Sequence, residues 1–177
     1  MGANEEALER HPSLNPEKLN QLRAAVLGAN DGIISVSAAL VAVVGVFEPR
    51  EIMLTGAAVL MAGALSMSAG EYLSVSAQVH HEDKASDFMT GPKAPWQAAL
   101  ASFAAFFAGG LPPAILALLT TNPYAIIAGA LVLLLLSAAL TARKEQRVRS
   151  TLRLLLVGAF ALGISLLANL LLEKLNF

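Results

Sequence analysis

Apolar residues gather into five runs, at 24–46, 53–78, 97–119, 124–142 and 152–173. A helix needs about 20 apolar residues to cross a bilayer, and each run has roughly that length. The pattern predicts five transmembrane helices. The breaks between runs carry turn chemistry: Phe47-Glu48-Pro49-Arg50-Glu51, Gly91-Pro92-Lys93-Ala94-Pro95, Thr120-Thr121-Asn122-Pro123, and a basic stretch from Arg143 to Arg153. Within the third run, Gly109-Gly110-Leu111-Pro112-Pro113 is expected to kink or break the helix, because the prolines remove backbone donors and the glycines loosen the chain. No internal repeat is visible. Residues 1–22 read as a polar cytosolic segment and 23–177 as one five-helix domain, with a short loop at 79–95.

Composition agrees with this pattern. Hydrophobic residues make up 56% of the 177 and charged residues 14%, a balance outside the usual range of a water-soluble domain. Leu, Ala, Val and Ile dominate and aromatics are few, which favours an all-α helical bundle over a barrel. There is no cysteine, so disulfides, thiolate metal sites and thiol catalysis are excluded. The acidic N-terminus lacks the basic-then-apolar order of a signal peptide, and no cleaved segment is expected. A net charge of −1 gives no sign of nucleic-acid binding. With the N-terminus in the cytosol, all of the 12 Lys and Arg residues except Arg50 and Lys174 fall on the inner side. That asymmetry predicts an N-in, C-out orientation.

Against this background the acidic residues inside the runs stand out. An ionised carboxylate deep in a membrane helix costs about 2.5–3.5 kcal/mol on insertion scales, so its retention calls for a role. Asp31 lies in the first run and Glu71 in the second. If these form an antiparallel hairpin turning near Arg50, the two carboxylates are level to within about 3 Å at 1.5 Å per residue. Met67 precedes Glu71 by one helical turn and adds a polarizable thioether. Two carboxylates and a thioether suit a divalent transition metal. Plainer readings stand beside this one: Asp31 as a tie to Asn30, a serine or a neighbouring backbone, Glu71 as a solvated group near the headgroups, Met67 as ordinary packing. His80, His81, Glu82 and Asp83, with Asp87 beyond, follow the second run and read either as a cytosolic capture site for metal or as a solvated loop. Ser137, Ser165 and Asn169 read as helix-packing groups. Ala24, Gly28 and Gly32 recur every four residues, a spacing that allows close helix approach. They are expected to pair two subunits through the first helix.

The segments "LRAAVLGANDGIISVSAALVAVVGV", "AGALSMSAGEYLSVSAQ", "FFAGGLPP" and "RSTLRLLLVGAFALGISLLANLL" resemble, in order, the spans of the vacuolar iron transporter family. That resemblance implies a five-span homodimer that moves iron(II), and often manganese(II), out of the cytosol in exchange for protons. It also implies that Asp31 of "NDGI" and Met67 and Glu71 of "SMSAGEY" line the path. The well-known members carry an acidic metal-binding insert between spans two and three. Here that link is only the loop 79–95, as in the shorter nodulin-21-like branch.

The expectation is therefore a multi-pass transporter of divalent metal ions in a lipid bilayer, with protons as counter-substrate and no permanently bound cofactor. Its membrane would be a bacterial inner membrane or a vacuolar or other endomembrane, according to source. A metal-binding scaffold or sensor and a divalent cation channel are the alternatives. No nucleophile–base pair or phosphate loop is visible, so an enzyme is not expected.

Overall fold

The computed structural model describes residues 16–82, 93–141 and 147–175, which form five α-helices and, among the described residues, no strand. They are α1 (Pro16–Val43), α2 (Pro49–Glu82), α3 (Ala94–Leu119), α4 (Pro123–Thr141) and α5 (Arg147–Lys174). All five are long and apolar enough to span a membrane. Leu65, Leu140 and Phe160 are among many large apolar side chains on the outer surface. An outer surface this apolar matches lipid, and a helix satisfies most of its backbone polar groups within itself, as a bilayer requires. The chain is an integral, multi-pass membrane protein.

Helix ends follow from local chemistry. The reversal after α1 uses Gly45 at φ +80°, a left-handed conformation that only glycine adopts without strain. At the start of α2 the Glu48 N–H donates to Glu51 Oε2 at 3.1 Å, with Pro49 in the first helical position. Asn122 caps α4 in the reciprocal sense, its side-chain Oδ1 accepting from the Tyr124 N–H at 2.9 Å, with Pro123 between them.

The bundle is organised around α1. Within the membrane-spanning window 39% of α1 is buried, against 17% for α5. Helix α1 packs on α2, α3, α4 and α5 alike, and most extensively on α3. The two helices run parallel: Gln21 meets Gln97 in a 2.6 Å hydrogen bond near one end, and Val36 lies beside Gly110 further along. Antiparallel α4 is tied to α1 where Ser137 Oγ donates to Asn30 Oδ1 at 2.6 Å. Asn169 of α5 donates to the carbonyls of Ala42 and Val44 at 3.3 and 2.9 Å, satisfying acceptors that the end of α1 leaves open. Ser137 and Asn169 are thus the interhelical ties expected of them, whereas the Ser165 hydroxyl donates to the Ala161 carbonyl of its own helix.

Two expectations are corrected. Helix α3 does not break at the Gly-Gly-Leu-Pro-Pro segment: it is continuous from Ala94 to Leu119 with Pro112 and Pro113 inside it. Gly109 and Gly110 serve as a seat for neighbouring helices: a Cβ on Gly109 would overlap the Ala29 carbonyl, and one on Gly110 would lie 2.7 Å from Val36 and Leu60. Packing on both sides holds the segment helical despite two missing donors. The second correction concerns Ala24, Gly28 and Gly32. This face does not wait for a second subunit, because α3 of the same chain already covers it. A Cβ at Gly28 would stand 2.5 Å from the Ser102 carbonyl oxygen, and one at Gly32 would overlap that of Phe106.

Candidate functional site

Along one side of the α1–α2 hairpin the helices part into a cavity of about 300 Å³, lined by Leu27, Asp31 and Ser35 from α1, by Gly63, Ser66, Met67, Gly70 and Glu71 from α2, and by Phe106 from α3. On α1 the lining residues fall every four positions, as do Gly63, Met67 and Glu71 on α2, so each set occupies one helical face. Phe106 forms the floor. It is fully buried, with its ring against Gly63, where any Cβ would overlap it. The cavity opens between the helices where Ser66 and Gly70 lie exposed.

Asp31, Met67 and Glu71 therefore share one groove. They are not level, however. The hairpin reverses through Val44–Glu48 instead of at Arg50, and Gly56 packs opposite Leu40. With that register Asp31 faces the neighbourhood of Met67, and Glu71 stands about six residues, or about 9 Å, nearer the N-terminal end of α1. The two carboxylates mark successive stations along the groove.

Each station has a partner: for Asp31 it is a serine, as the plainer expectation had it, and for Glu71 it is an arginine that the spacing of the runs did not single out. Asp31 Oδ1 accepts a 2.9 Å hydrogen bond from Ser35 Oγ, one turn further along α1. Glu71, only 7% exposed, is held by Arg23, whose Nη2 lies 2.8 Å from Glu71 Oε2. The four-residue series Arg23–Leu27–Asp31–Ser35 carries both signals in the sequence. Asn30, next to Asp31, points away from the groove to Ser137. Among the described residues no group of three or more His, Asp or Glu side chains forms a ready metal cage. The donors of the groove are two carboxylates, a thioether and two hydroxyls, a set that fits a divalent transition ion held partly by water or by a further chain. The backbone of α2 runs through His80, His81 and Glu82, but their side chains lie outside the described residues, as do Asp83 and Asp87.

Five membrane-crossing helices, with an acidic, sulfur-bearing groove between the first two, define a polytopic membrane protein with a polar site set into its apolar body. The model of the VIT family matches residues 22–90 and 84–169, and the chain belongs to this family. Among similar proteins, Vacuolar iron transporter homolog 3 of Arabidopsis thaliana is 38% identical over 159 residues, covering 81% of this chain and 79% of that protein. Vacuolar iron transporter homolog 5 of Oryza sativa subsp. japonica is 36% identical over 165 residues, covering 84% and 78%. Homolog 4 of Arabidopsis thaliana is 35% identical over 159 residues, covering 81% and 80%. No solved structure matches.

Proposed function

We propose that this protein transports divalent transition metal ions, iron(II) or manganese(II), out of the cytosol, with protons moving in exchange. The observation that carries the reading is the groove that gathers Asp31, Met67 and Glu71 within otherwise apolar helices. The family and the names of its relatives support it. In this reading the carboxylates compensate the charge of a partly dehydrated ion and Met67 biases the site toward softer metals. When the ion leaves, protons entering the low-dielectric groove compensate the charge it leaves behind, which links the two fluxes.

Basic residues fit entry from the N-terminal end of α1. Lys18, Arg23, Lys93, Arg149 and Arg153 lie toward that end of the bundle, Arg50 and Lys174 toward the other. The positive-inside rule makes the first end cytosolic.

A single chain supplies few ligands, and its groove is open on one side. A second copy placed over that opening would double each donor around a common path. Ala24, Gly28 and Gly32 are buried against α3, so the surface that best suits such a second copy is the open α1–α2 side, where Ala62, Ser66, Gly70 and Ser74 form an exposed small-residue stripe on α2.

Simultaneous metal and pH recording in proteoliposomes tests the function. Asp31→Asn preserves shape and hydrogen bonding but removes the charge. It is expected to fold normally and to lose at least about 90% of the metal flux, with the linked proton flux. Undiminished, proton-linked transport in this variant would make Asp31 structural. Flux that follows the metal gradient with no proton movement would identify a channel, and no flux in the wild type a scaffold.

A further inference from the structure

Arg23 is the one charged partner of Glu71 among the described residues, and the site chemistry above leaves it without a role. From its geometry we infer that Arg23 is a tethered competitor for Glu71: its guanidinium occupies the carboxylate while the groove is empty, and a divalent ion must displace it to bind there. This deepens the transport reading and rests on it.

Three observations converge. First, the pair closes the station nearer the N-terminal end of α1, so an ion arriving from that side meets Arg23 before Asp31. Second, the partners are unequally held. Glu71 is nearly buried, at 8% side-chain exposure, whereas Arg23 is 48% exposed and free to leave. Third, the released side chain has room. Arg23 also lines a separate cavity of about 700 Å³ between α1, α4 and α5, together with Leu22, Asn30, Thr141 and Ser150. One residue thus borders both spaces and has two places to put its charge.

The device keeps Glu71 compensated at every stage, because either the arginine or the metal faces it. It also sets a threshold. A guanidinium is permanently charged, and its tether gives it an effective concentration in the millimolar range. A monovalent ion brings no more charge than the group it would displace, while a divalent ion brings twice as much. Arg23 is in this sense a specificity-determining residue. If the pair is closed about nine-tenths of the time, only one-tenth of the molecules are competent to bind, and apparent affinity falls about tenfold.

Manganese(II) binding to the full chain in nanodiscs, read by electron paramagnetic resonance, tests this. Arg23→Gln is expected to bind Mn²⁺ about tenfold more tightly than the wild type and to become sensitive to competing potassium at constant ionic strength. Arg23→Lys keeps the charge and should stay within about threefold of the wild type. In a Glu71→Gln background, Arg23→Gln should bring no gain. Unchanged or weaker Mn²⁺ binding in folded Arg23→Gln, or equal potassium sensitivity in both proteins, would overturn the inference while leaving the transport reading in place. Absence of Mn²⁺ and Fe²⁺ binding to the wild type would remove both. Should Arg23→Gln not fold, phenylglyoxal labelling of the wild type, resolved by mass spectrometry, decides the matter. Saturating Mn²⁺ should raise the reactivity of Arg23, and an unchanged or lowered reactivity would show that the pair stays shut.

Discussion

Asp31 and Glu71 are both carboxylates in apolar helices, yet their settings differ: one accepts a bond from a neutral hydroxyl and the other faces a guanidinium. Met67 lies between these stations as the sole soft donor of the groove. Met67→Leu changes volume little and should alter stability by less than about 1.5 kcal/mol. Its chemical effect is larger, since a hard oxygen set no longer favours iron(II) over manganese(II). Competition between the two metals in liposomes should shift toward manganese several-fold, with proton coupling intact. An unaltered ratio would reduce Met67 to packing. The sequence made these three residues legible because a charge or a thioether on an apolar face is conspicuous. Arg23 was hidden by its position near the end of a span, where a basic residue already has a reason to exist in the orientation rule. Its pairing depends on which face of α1 turns toward α2, and that is decided by contacts with the other helices.

At the scale of helices, the same limit separates what spacing reveals from what it leaves open. Five spans and their breaks could be read from hydropathy because bilayer thickness constrains each helix by itself. Ala24, Gly28 and Gly32 likewise announced a close helix contact, but a four-residue repeat of small side chains does not name its partner. The partner is α3, whose own Gly109 meets Ala29 in return. The glycines at 109 and 110 looked like helix breakers beside two prolines, and they turn out to be the other half of this seam. Gly32→Ala drives a Cβ into the Phe106 carbonyl, so a loss of about 1–3 kcal/mol is expected. Gly163 on α5 has no atom within 4 Å of such a Cβ, and Gly163→Ala serves as the control. Thermal unfolding in detergent, followed by fluorescence-detected size exclusion, should show a lower midpoint for the first variant and none for the second. Equal midpoints would mean that α1 and α3 part easily.

For the whole molecule, burial of the Ala24–Gly32 face has a further consequence, because it decides which surface is left for self-association. In lipid there is no hydrophobic force between helices, so association depends on backbones that can approach closely. Helix α5 offers large exposed side chains such as Phe160 and Leu167, which suit acyl chains. The exposed stripe Ala62–Ser66–Gly70–Ser74 offers small ones, and it runs beside the mouth of the groove. Ser66 and Gly70 line the groove itself, so substitutions there would confuse assembly with binding. Ala62 and Ser74 flank it. Ala62→Leu and Ser74→Leu are therefore expected to leave the monomer folded while converting most of the dimer to monomer, as counted by single-molecule photobleaching in liposomes at low protein density. If a second copy completes the groove as proposed, these variants should also weaken Mn²⁺ binding in proportion to the dimer lost. A monomer that retained full Mn²⁺ affinity would show that Asp31, Met67 and Glu71 of one chain, with water, complete the site without a second copy.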